Sequence, residues 1–194
     1  MRMRMLAVLA VAVCSVTGAR GQMGQTAPKV PAGTIIEPSK SFDALLKIYE
    51  DEMMGAVNAM PADKYSFAPS EAIFKADQGV KYDGVRTFGQ MVAHVAQANY
   101  YFYSTLGGGK PDVDMKAVGN LTSKEDTVKA LAASFAYGHK QIAALTAANA
   151  FASVKDDQTK ASMVAFGIAH GFDHYGQLVE YLRMNGIVPP ASQK

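Results

Sequence analysis

Apolar residues recur at steps of three and four along four long stretches of this chain, and three of the four close on Pro or Gly. That periodicity puts one apolar stripe on each of four helices. The first stretch is 41–60, where Phe42, Leu45, Tyr49, Met53, Val57 and Met60 share a face and Pro61 marks the end. The second is 87–106, opened by Thr87 and Gln90 at capping-box spacing and stopped by Gly107-Gly108-Gly109 and Pro111. The third is 123–149, with Val128, Leu131, Phe135, Ile142 and Leu145 as its stripe. Thr122 and Glu125 repeat the capping spacing there. The fourth is 157–185, ended by Gly186 and Pro189-Pro190. No stretch alternates every two residues with β-branched enrichment. Four helices that each carry one apolar stripe must bury them against each other, so the predicted fold is all-α, a four-helix bundle. The 65–83 link is long enough for a crossover and has room for a short helix near 70–76. The 107–122 link could cross as well, and the sequence leaves the topology open.

Composition agrees with one globular domain. Of 194 residues, 49% are hydrophobic and 19% charged, too apolar a mixture for a disordered chain. The net charge of +2 gives no bulk attraction for nucleic acid or an anionic membrane. A single cysteine, Cys14, excludes an internal disulfide framework.

The N-terminus reads differently from the rest. Arg2 and Arg4 precede an unbroken apolar run from Leu6 to Val13, followed by small residues through Thr17-Gly18-Ala19. A basic start, a short apolar core and a small-residue exit form a secretory signal. The apolar run is too short to span a bilayer. Cleavage after Ala19 removes Cys14 and, with Arg2 and Arg4, the whole formal charge excess. Lipid attachment at Cys14 is the alternative, although Val13 before it is large for such a site, and an uncleaved anchor is another. The expected organisation is a signal peptide over 1–19, a flexible Gly/Pro/Gln leader over 20–40 and the bundle over 41–190. The expected location is secreted or periplasmic.

Four histidines carry the chemistry. His170 and His174 are four apart on the fourth helix, so their rings leave one face a turn apart. At 100° per residue, Val164, Ile168, Phe172, Tyr175, Val179 and Leu182 form the apolar stripe. The two histidines then flank it, on a face with Met163, Phe166, Gln177 and Tyr181. His94 lies on the second helix, on a face with Met91, Ala98 and Tyr101. Three neutral imidazoles from two helices would make a divalent-metal site with an open position. The H-x-x-x-H spacing serves equally a pair of hydrogen-bonded, partly buried histidines. His139 follows Phe135 by one turn on the edge of the third helix, and no residue pattern links it to the others; it reads as a packed or solvent-edge side chain. Asp173 falls on the polar side. Glu50, Asp51 and Glu52 form a solvated acidic run, in which Glu52 stands nearest the apolar stripe as a candidate general base. Tyr100, Tyr101, Phe102 and Tyr103 cannot all face one way, so some belong to the core and some to a pocket. The sequence contains no Ser-His-Asp order, no nucleotide-binding Gly loop and no Cys-based zinc spacing, and Gly107 to Gly109 end a helix rather than open one.

These residues resemble the DinB family. The stretch from His170 to His174, H-G-F-D-H, is followed by Gly176-Gln177 and by L-R-M-N-G-I-V-P-P over 182–190, much like the C-terminal signature of that family. Phe88 to His94 resembles its second helix, and Tyr65 to Pro69 the segment before it. The resemblance spans about 41–190. It implies a DinB-like four-helix bundle with long crossover connections and a three-histidine site in which His94, His170 and His174 bind a divalent metal, zinc or nickel. It also implies kinship with metal-dependent thiol transferases that use a low-molecular-weight thiol. The expected function is therefore an exported metalloprotein acting as a thiol S-transferase or hydrolase-like enzyme, with a small-molecule substrate. The alternative is a non-catalytic metal-stabilised bundle that binds a small molecule or a protein. Among partners, a second copy of the chain in a homodimer is an expectation; nucleic acid and an integral membrane span after cleavage are not. One departure stands out. The better-understood relatives act in the cytoplasm, whereas this N-terminus reads as an export signal.

Overall fold

The computed structural model describes residues 30–75 and 78–193. The expected signal peptide, with Cys14, and residues 20–29 of the expected leader lie outside the described residues. The chain divides into two units at Thr34 and Ile35. In the first, the described part is a turn closed by the Thr34 N–H on the Pro31 carbonyl at 3.2 Å.

The second unit is built on four long helices: α1 (Pro38–Ala59), α2 (Phe88–Ser104), α4 (Lys124–Ile142) and α5 (Lys160–Met184). A five-residue helix, α3 (Met115–Gly119), sits in the link between α2 and α4. Helices α1 and α2 each pack against both α4 and α5, so α1 faces α2 across a diagonal, and α4 faces α5 across the other. Two links are therefore crossovers. One is the α1–α2 connection that the sequence allows. The other joins α4 to α5. The α2–α4 link connects neighbours.

Local signals explain most boundaries. Pro at N1 opens α1, three residues earlier than the expected start at 41. Thr87 and Gln90 form the expected capping box on α2. The cap of α4 is Ser123, not Thr122: its Oγ accepts from the Asp126 N–H at 3.1 Å, so the residue three on is Asp126 rather than Glu125. The shift of one residue lets Glu125 and Asp126 both lie in the first turn, where the helix dipole favours them. Helix α4 stops at Ile142, short of the expected Asn149. A turn and a two-stranded antiparallel hairpin, β1 (Ser153–Lys155) and β2 (Gln158–Thr159), follow. Strands this short are below the length at which alternation can be read from sequence. The 70–76 expectation is met by a single 3-10 turn, Glu71–Ile73.

Two stripes are rotated from their expected positions. On α1, Leu46 is fully buried and Leu45 is 47% exposed. Relative to Tyr49, the centre of the buried arc lies about 40° on, which puts Leu46 roughly 20° from it and Leu45 roughly 80° away. On α5, the buried line runs through Gly167, Gly171, His174, Leu178 and Tyr181, while Phe172 and Tyr175 are only partly covered. Two glycines cause this. A Cβ at Gly171 would lie 2.0 Å from the Tyr49 Cζ, and one at Gly167 would lie 3.1 Å from the Phe102 Cβ. Their absent side chains let aromatic rings of α1 and α2 press onto the α5 backbone, and that turns the histidine face inward.

Candidate metal centre

His94 comes from the middle of α2, and His170 and His174 from the middle of α5, where the two helices pack together. The ligand atoms of all three lie within 4.8 Å of one another. The His170 and His174 Nε2 atoms are 3.2 Å apart. Tetrahedral coordination by nitrogens at zinc distance separates them by roughly 3.3 Å, so this pair already has the spacing of two ligands on one ion. Ring centroids are 5.2 Å apart for His94 and His170, 4.9 Å for His94 and His174, and 4.5 Å for His170 and His174. The triad converges edge to face, with nitrogens and not ring faces at its centre.

Neighbouring groups set the tautomer of His174. Its Nδ1 lies 3.1 Å from the Gln177 Oε1. A carbonyl oxygen can only accept, so Nδ1 carries the proton and the Nε2 lone pair points into the triad. The Gln177 amide is itself oriented by Asp173, to which its Nε2 donates at 3.4 Å. Asp173 is exposed, as the sequence suggests, and reaches the triad through Gln177. Against His170, the Phe102 ring packs at 5.3 Å.

Electrostatics favour neutral imidazoles. Burial, followed by the charge of Arg86 and the two neighbouring histidines, pushes His94 down to about 4. Burial and the nearby His174 also lower His170, with Asp173 opposing in part. Neutral nitrogen is the form that binds a metal, so His94 and His170 can each offer one to a divalent cation without first losing a proton at neutral pH. Among the described residues, no Asp, Glu, Cys or fourth His joins the group.

Two clefts open beside His94. One, of about 410 Å³, is polar and is lined by Arg86, Gln90 and Gln97. The other, of about 370 Å³, is apolar and is lined by Ala98, Tyr101, Phe102 and Met115, and also touches His170. The aromatic run of α2 divides as the helix requires: Tyr101 and Phe102 face the apolar cleft, and Tyr103 is fully buried in the core.

The remaining candidates lie elsewhere. His139 sits on α4 with its Nδ1 2.5 Å from Asp43 and its Nε2 3.4 Å from Glu50, both on α1. Glu52 is half-buried beside Tyr175 and lines neither cleft. It is not among the side chains whose ligand atoms converge. Sequence reasoning missed Gln177 as the group that orients His174, and Arg86 as the charge beside the triad. The i+3 spacing of Gln177 from His174 was the available signal for the first; nothing in the pattern marked the second.

The sequence profile of the DinB superfamily matches residues 45–178. That is well over half of the chain and includes all three histidines; the chain belongs to this superfamily. The match ends before the L-R-M-N-G-I-V-P-P segment, whose likeness to the family rests on the motif alone. No curated protein matches the chain.

Proposed function

We propose that this member of the DinB superfamily is a metalloprotein that holds one divalent cation, zinc or nickel, through His94, His170 and His174, and uses it in a reaction of a small molecule. The observation that carries this reading is the convergence of three imidazole nitrogens, with two clefts beside them and no fourth protein ligand among the described residues. A three-nitrogen set leaves a position for a substrate or solvent, whereas a structural site closes with a fourth ligand. When bound, the cation lowers the pKa of a thiol or water in that position and makes it a nucleophile at neutral pH. The protein's part is to hold His94 and His170 neutral, to fix the His174 tautomer through Gln177, and to cover His170 with Phe102. The reaction class that follows is transfer of a thiol to an electrophile, or hydrolysis.

Metal analysis of the purified protein tests the site. One equivalent of zinc or nickel is expected, and a protein that takes up neither after dialysis against both removes the reading. A screen of thiols against electrophilic substrates then tests the enzyme: a loaded protein inert across the screen points instead to the non-catalytic metal-stabilised bundle.

The reading extends to location. We propose export with cleavage after Ala19, supported by the basic, apolar and small-residue order of the first nineteen residues. Intact mass of envelope material should correspond to a chain starting at Arg20; a cytoplasmic protein retaining Met1 would refute it.

A further inference from the structure

The two clefts differ in chemistry and meet at His94 and Gln97. In the polar cleft the cation is Arg86. Among the described residues the arginine found in an ion pair is Arg183, with Glu180, and Arg86 has no carboxylate partner among them. It lines the same cleft as His94, beside the triad. The backbone beneath it is fixed. Tyr181 Oη donates to the Arg86 carbonyl at 3.2 Å, and the next residue, Thr87, caps α2. A side chain with a free cationic end is thus mounted on an anchored backbone beside the candidate ligands.

The apolar cleft has the opposite character. Phe102 forms its wall against His170, and Tyr101 and Met115 complete it. Tyr101 is 58% exposed, and Phe166, which packs on Phe102 at 5.2 Å, is 59% exposed. Large aromatic surface therefore stays open next to the histidines.

We propose that the ligand of this site is an amphipathic carboxylate whose anionic end pairs with Arg86 while its apolar body lies on Tyr101, Phe102 and Met115. The proposal rests on the metal-site reading for where the reacting group lies, since a molecule spanning both clefts passes the His94 nitrogen. Arginine suits a carboxylate because its planar fork matches the two oxygens. Each cleft is within the size range of a small-molecule site. A neutral ligand would leave the guanidinium without a partner, and a small anion without an apolar body would leave the aromatic wall uncovered.

The test uses 3-phenylpropanoate, its neutral isostere 3-phenylpropanamide, and acetate. Affinities are measured by calorimetry or NMR titration for the metal-free and the zinc-treated protein, in wild type and Arg86→Gln. The wild type should prefer the carboxylate over the amide by roughly three- to tenfold, the range expected of one partly solvated charged hydrogen-bonded pair. Acetate should bind more weakly than 3-phenylpropanoate. Arg86→Gln should bind acid and amide alike. Equal affinity for acid and amide in the wild type, or an undiminished preference in Arg86→Gln, overturns the anion site. Acetate binding as well as 3-phenylpropanoate overturns the apolar half. Zinc content of the same samples reports separately on the metal reading. A carboxylate preference in protein that takes up neither zinc nor nickel on treatment supports the anion site and defeats the metal site; bound zinc without the preference does the reverse.

Discussion

The imidazoles of His94, His170 and His174 face one another, whereas that of His139 faces two carboxylates. Both arrangements join helices, the triad α2 to α5 and His139 α4 to α1. The resulting chemistry is different. Burial disfavours the protonated forms of His94 and His170, and the ligand atoms of the three rings lie within 4.8 Å of one another. A ring held between Asp43 and Glu50 has both nitrogens engaged and none to offer a metal. Lys47, which pairs with Glu50 and Asp51, ties the second arrangement further into the surface charge of α1. A histidine's role in this protein is therefore set by what faces its ring nitrogens rather than by burial alone.

Removing a triad member should break the contrast most severely. His174→Ala deletes the ring whose tautomer is fixed and whose Nε2 is 3.2 Å from His170. Zinc affinity should fall by more than the ~10–100-fold typical of losing an outer partner of a ligand. Competition with a chromophoric chelator measures this. Affinity within threefold of wild type would mean that the three nitrogens do not share an ion.

A smaller loss is expected one step out. Gln177→Ala leaves all three ligands and removes only the acceptor that holds the His174 Nδ1 proton. Zinc affinity should drop by about 10–100-fold. Gln177→Glu keeps an acceptor at that place and should recover much of the loss, an outcome that general damage to α5 would not produce.

The metal-free protein offers a third test through pH. An unfolded histidine titrates near 6.5, whereas folded His94 is pushed down to about 4 and His170 is lowered as well. Below about pH 6.5 the unfolded chain binds protons that the folded rings refuse. Stability therefore falls as pH drops from 6.5 towards 4, and the His94 contribution levels off below that. Urea midpoints of the apo protein should trace this decline. Because carboxylates also titrate near pH 4, the decisive quantity is the difference from His94→Asn, which should decline less steeply. Parallel curves would refute the cause assigned here.

Much of this contrast was legible in the sequence. The four-residue spacing places His170 and His174 on one face whatever the fold, because helix geometry alone decides it. The Thr87–Gln90 box was readable for the same local reason. Properties that depend on another helix were not. Leu46 replaces Leu45 in the core because the position of the neighbours decides the centre of the buried arc. The inward turn of the histidine face depends on Tyr49 and Phe102 meeting Gly171 and Gly167, contacts 65 residues apart in the chain at the nearest. Asp43 and Glu50 are 96 and 89 residues from His139, so no local pattern could pair them. Arg86 is one cation in an irregular link, and only the packing of α2 on α5 gives it significance.

The smallest effect sharpens the comparison from the other side. His139→Ala removes a bridge whose side chain is 26% exposed and whose partner Asp43 is more exposed still. Exposed pairs contribute about 0.2–1 kcal/mol, because solvent screens the charges and ordering the side chains costs entropy. Glu50 keeps Lys47 after the change, so it is not left without a partner. The urea midpoint should thus correspond to a loss within about 1 kcal/mol. Zinc stoichiometry and affinity should not move, since neither ring nitrogen of His139 points to the triad. A His139→Ala protein that lost zinc would show the two histidine environments to be coupled through α1 and α5, and the division drawn between them would have to be abandoned.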